Sequence, residues 1–164
     1  MRCPRWTAAP VLAALCAAPA WPGGAGAPEA AVATAQAPAR HCTAHPAATL
    51  RALRQGRQRL VLVLRAFQPP TAGSGALNIS LLAADGQRHQ LAQVTVHPLR
   101  AFSAREAARA QRFLLPAGDA MPLPEAGQPL CIEVGFASAD AAGGAGAAAE
   151  FTIETIPAPG AGNR

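Results

Sequence analysis

The chain reads as mainly β, an antiparallel β-sandwich of about six to seven strands with one or two short helices. Three observations predict it. Apolar residues recur with a period of two in several short segments, as at Leu77, Ile79 and Leu81 and again at Leu130, Ile132, Val134 and Phe136. These segments are separated by Pro- and Gly-rich connections. Between them no apolar periodic stretch is long enough for the crossover helices of a parallel α/β sheet.

The N-terminus belongs to none of these strands. Arg2 and Arg5 precede the apolar run "TAAPVLAALCAA", and small residues close it at Ala18 and Ala20. This is the layout of a secretory signal peptide over residues 1–20, with cleavage after Ala20 or as late as Ala25. A lipoprotein anchor on Cys16 is the rival, but Leu15 is large for the residue before an acylated cysteine. The apolar run is shorter than the roughly 20 residues a membrane span needs, and no later stretch is long enough either. The expectation is an exported periplasmic or secreted protein with no membrane span.

Residues 21–40 are mostly Ala, Pro and Gly and predict a disordered lead-in, followed by a single domain over 41–157 and a flexible tail at 158–164. Within the domain, Leu50 and Leu53 lie three apart before Gly56, which suits a short helix with a glycine stop. "QRLVLVLRAF" at Gln58–Phe67 is apolar on both faces and predicts a central strand, ended by Pro69-Pro70. Ala76–Leu82 alternates as a half-buried strand, and Asp85-Gly86 predicts a tight turn into a return strand over Arg88–His97. Ser103 and Glu106 form a capping box at the head of an alanine-rich segment ending at Gln111, which predicts a second short helix. Arg112–Leu115, Leu130–Phe136 and Phe151–Ile153 complete the strands.

All basic residues are Arg, and the formal net charge is +5. Two of those five charges, Arg2 and Arg5, lie in the leader, which leaves a surplus of about three from Trp21 onward. Two loose clusters remain, Arg51, Arg54, Arg57, Arg59 and Arg65, and Arg100, Arg105, Arg109 and Arg112. Nucleic-acid binding would call for aromatic residues interleaved with these, and the chain has no Tyr and few Phe. The composition therefore predicts no nucleic-acid partner. It suits an anionic surface polymer, or another envelope protein.

The densest cluster of reactive side chains is "RHCTAHP" at Arg40–Pro46. His41, Cys42 and His45, wrapped as a loop, have the ligand chemistry for copper or zinc. The alternative is two exposed histidines beside a bridged cysteine. Once the leader is removed, only Cys42 and Cys131 remain, and a pair in an exported domain predicts a disulfide. The two readings exclude each other, because the metal site needs a free Cys42 thiolate. In the disulfide reading no cofactor is expected.

Catalytic motifs are lacking. "AGSGA" at Ala72–Ala76 does not match a nucleophile elbow, and the absence of Lys removes Ser/Lys mechanisms. His89 and His97, on one strand face, would lie about 26 Å apart. Glu133 and Glu154 would form a hydrolytic pair only if their strands were neighbours. The expectation is a non-catalytic binding or accessory module of the bacterial periplasm or cell envelope, with a small metal carrier and a small hydrolase as the alternatives.

The order of elements from Gln58 to Ile156 also resembles the C-terminal β-sandwich domain of bacterial and plant tyrosinases (polyphenol oxidases). The comparable stretches are "RLVLVLRAFQPP", "LNISLLA", "VTVHPLRAFSAREAARAQRFLL", "LCIEVGF" and "FTIETI". In those enzymes the domain packs over a separate helical copper domain and shields its active site. The histidine motifs of the copper domain are absent from this sequence. The resemblance therefore implies a freestanding accessory or shielding module, and no oxidase activity carries over.

Overall fold

The computed structural model describes residues 29–72, 74–116, 121–137 and 146–159. The expected leader lies outside the described residues. The described residues form eight strands and one α-helix in the order β1 (Ala31–Thr34), β2 (Ala39–Ala44), α1 (Ala47–Arg54), β3 (Gln58–Gln68), β4 (Ala76–Leu82), β5 (Arg88–Thr95), β6 (Gln111–Leu114), β7 (Pro129–Phe136) and β8 (Ala148–Pro157). They form two four-stranded antiparallel sheets. Sheet A has the order β1-β8-β3-β6 and sheet B the order β2-β7-β4-β5.

The chain changes sheet at every connection but one, the β4–β5 hairpin. Gly86 supplies a positive φ of 83° at that turn, and the Asp85 carboxylate accepts from the Gln87 amide at 2.9 Å. The core lies between the sheets. Leu60, Leu62, Leu64 and Phe151 of sheet A meet Leu77, Ile79, Leu81, Ile132 and Val134 of sheet B, and α1 adds Leu50 and Leu53. Burial of such side chains stabilises the fold by roughly 1.5–3 kcal/mol each before chain entropy is counted.

The central strand, the β4–β5 hairpin and the alternating β7 form where the sequence predicts them. Four expectations need correction. First, part of the lead-in is folded. Ala31–Thr34 pairs with β8, and β2 starts at Ala39. Alanine has a low β preference, so β1 gives no strand signal of its own. It is held by its partner and by Ala33, which is fully buried.

Second, the Ser103–Glu106 box forms without the helix it announces. The Ser103 amide donates to Glu106 Oε2 at 2.9 Å, but only a 3-10 turn, Ala107–Arg109, follows. Residues 103–109 are all exposed, so no apolar face docks a helix. A helix that short is marginal without docking.

Third, His89 and His97 do not share a strand face. A register shift between Ile79 and Ser80 inserts Leu91 into β5 and flips the alternation beyond it, and His97 lies past the end of the strand. Fourth, Glu133 lies on β7 of sheet B and Glu154 on β8 of sheet A, so the two carboxylates are not on neighbouring strands.

Candidate functional site

The outer face of sheet B carries the densest polar chemistry among the described residues. On β7, Leu130, Ile132 and Val134 point into the core, so Cys131, Glu133 and Gly135 point outward. On β2 the antiparallel register sets Cys42 opposite Cys131 and Arg40 opposite Glu133. The two cysteines are disulfide-bonded, with Cα atoms 4.0 Å apart. The bridge joins positions 89 residues apart, a closure worth on the order of 4 kcal/mol in the chain-entropy model.

Glu133 is the anchor of this face. It is only 6% exposed, though it stands on the outer side of the sheet. Arg40 Nε donates to its Oε2 at 2.9 Å, and Arg88 Nε approaches its Oε1 at 2.9 Å. Arg88 Nη2 adds a longer bond of 3.4 Å to Oε2. Both arginine side chains remain more than half exposed. One carboxylate thus holds two guanidinium groups, which leaves a surplus of one positive charge. Each charge-assisted bond contributes about 1.5–3 kcal/mol, and together they fix two normally flexible side chains.

Hollows adjoin the triad. One of about 290 Å³ is lined by Asn78, Ser80, Arg88, Glu133, Gly135 and Pro38, among others. Gly135 permits the close passage of Pro38, since a Cβ there would stand 3.2 Å from the proline Cβ. A second hollow, of about 430 Å³, is lined by Arg40, Leu82, Gly86 and both cysteines. A third, of about 530 Å³, opens where β1 and β2 run together and is lined by Glu29, Arg40, His41 and Thr43.

The segment Arg40–His45 is a strand, not a loop, up to Ala44, and this decides the fate of the His41, Cys42, His45 set. Alternation sends His41 inward, opposite the core residue Ile132, and Cys42 outward. His41 is buried, against the expectation of an exposed side chain, and its Nε2 is hydrogen-bonded to Thr43 Oγ1 at 3.0 Å. Cys42 is held in the disulfide. Among the described residues no three His, Cys, Asp or Glu side chains converge for a metal ion. His45, half-buried after the strand ends, has its pKa pushed below the usual histidine value, first by burial and second by His41.

The other arginines are distributed differently. Arg54 donates to the carbonyls of Leu123 and Pro124, Arg57 to Gln55, and Arg112 pairs with Glu154. Glu106 is held below the usual carboxylate range, first by the Ser103 amide and then by Arg109. The Arg109 guanidinium also lies 5.8 Å from the centre of the Phe102 ring.

The Arg40–Glu133–Arg88 triad escapes a reading by segments. One signal for it is present all the same. If Cys42 and Cys131 face each other on antiparallel strands, the residue two before one must face the residue two after the other, and these are Arg40 and Glu133. Arg88 joins from β5, whose place in the sheet only the tertiary fold supplies.

No protein-family model, curated protein or solved structure matches the chain. No helix among the described residues is long and apolar enough to cross a membrane.

Proposed function

We propose that the chain is an exported, disulfide-stapled binding module without a catalytic centre. In this reading the outer face of sheet B takes anionic groups of a cell-envelope polymer. One observation carries the proposal: Arg40 and Arg88 are locked on the buried Glu133 and stay exposed, Arg88 beside the hollow of about 290 Å³ and Arg40 beside those of about 430 and 530 Å³. Arg40 is engaged through Nε, and its terminal amino groups have no partner among the described residues. A guanidinium held in place loses little entropy on meeting a carboxylate, sulfate or phosphate, and it bonds such groups through a two-pronged donor set. The leader-like N-terminus, the disulfide and the arginine excess support an exported setting for such a surface.

The test is a calorimetric titration of the protein with dextran sulfate at low and high salt. The comparison is the triple variant Arg40→Gln, Arg88→Gln, Glu133→Gln, which leaves no buried charge unpaired. We expect salt-dependent binding by the natural protein and binding weaker by about ten-fold or more in the variant, as expected for the loss of charge-assisted bonds. Equal binding by the two removes this face as the site. Turnover of an ester or phenol substrate at ordinary enzymatic rates overturns the non-catalytic reading.

A further inference from the structure

The Cys42–Cys131 bridge joins two residues that the folded sheet already holds face to face. Its two residues are direct partners in a ladder that continues on both sides, from Ala39 opposite Val134 to Ala44 opposite Pro129. The backbone hydrogen bonds of this ladder hold the two cysteines face to face whether or not the sulfurs are joined. Inward packing of Leu130, Ile132 and Val134 fixes β7 independently. A domain of this size has about 5–15 kcal/mol of stability, so loss of about 4 kcal/mol leaves the fold populated.

The bridge is also accessible. Cys42 is exposed and Cys131 half-buried, and both line the hollow of about 430 Å³ beside Arg40. Exposed disulfides belong to the labile class, whereas enclosed ones resist exchange. The local charge favours the same chemistry. Arg40 lies two residues from Cys42 on the same strand face, and Arg88 lies opposite Leu82, itself opposite Cys131. With Glu133 counted, one positive charge remains in excess beside the sulfurs. Positive surroundings stabilise a thiolate and attract an anionic thiol.

We propose that Cys42–Cys131 is a thiol–disulfide exchange site for small anionic thiol peptides. The incoming thiolate attacks the exposed Cys42 Sγ. A new sulfur–sulfur bond forms there, the Cys42–Cys131 bond breaks, and its electron pair leaves on Cys131 Sγ as a thiolate. A second thiol attacks the thiol carried on Cys42 and releases the peptide as its own disulfide. Two peptide thiols are thus oxidised, and the bridge is reduced to a dithiol within an intact sheet.

Reduced glutathione is the probe. The protein is incubated with it in native buffer, quenched by alkylation and read by mass spectrometry, while circular dichroism follows the β signal. We expect the bridge to open with the β signal retained. Treated with oxidised glutathione, Cys131→Ser should be glutathionylated at Cys42, and Cys42→Ser should react at Cys131 about ten-fold more slowly because Cys131 is less accessible. The exchange rate should fall with added salt. A bridge that stays closed until denaturant unfolds the protein overturns the proposal, as does loss of the β signal on reduction or equal reactivity of the two single variants.

Discussion

The outer faces of the two sheets solve the same problem in opposite ways. On sheet A, Val61, Val63 and Thr152 are buried although they point away from the core. Val32 and Leu114 remain exposed on that face, and its ion pair, Arg112–Glu154, lies in solvent. On sheet B the outer face is polar. A nearly buried carboxylate is held by two exposed arginines, and a covalent bridge crosses between the strands beside it. Charge counts for most where solvent is already excluded. The Glu133 triad orients groups, and the Arg112–Glu154 pair adds little beyond solubility.

Four variants test this contrast. The largest effect belongs to the bridge. Cys42→Ala with Cys131→Ala should lower unfolding free energy by about 4 kcal/mol, read from urea melts, with the folded β signal unchanged. A loss far below that would mean that opening the bridge does not free the unfolded chain as the chain-entropy model requires. Next comes the triad. Arg40→Ala with Arg88→Ala strands a carboxylate that is 6% exposed and should destabilise by about 3 kcal/mol in the same melts.

The matching change on sheet A is smaller. Arg112→Ala should cost less than about 1 kcal/mol, since both partners of its pair are solvated. If it equals the triad variant, the two faces do not differ as described.

The smallest effect concerns the edge of sheet B. His45 has a folded pKa below its unfolded value of about 6.5, so the unfolded chain binds the proton first. Its contribution is fully present above about pH 6.5 and is lost as pH falls through the lowered folded value. His45→Gln should therefore flatten the decline in melting temperature on acidification below about pH 6.5. An unchanged decline assigns it to other groups.

Much of this fold is legible in the chain itself, and the failures have physical causes. Strands β3, β4 and β7 announce themselves because large apolar residues at every second position fit only a pleated surface against a core. Strand β1 is silent because Ala-Val-Ala-Thr has no payload to bury, and it folds only because β8 offers an edge. The helix expected after Ser103 is absent because a cap without an apolar face to dock cannot hold a helix. The sequence leaves a Glu133–Glu154 pair open, because a period of two states which side a residue takes and not which sheet it joins.

Local pattern alone predicts the class of fold, the hairpin at Asp85-Gly86 and the pairing of Cys42 with Cys131. These follow from local periodicity, from turn chemistry and from the count of thiols. Only the tertiary structure decided that His41 turns inward while Cys42 turns outward, and that Arg40 and Arg88 meet on Glu133. Such meetings join β2, β5 and β7, which are distant along the chain, and no local pattern records which strands will pair.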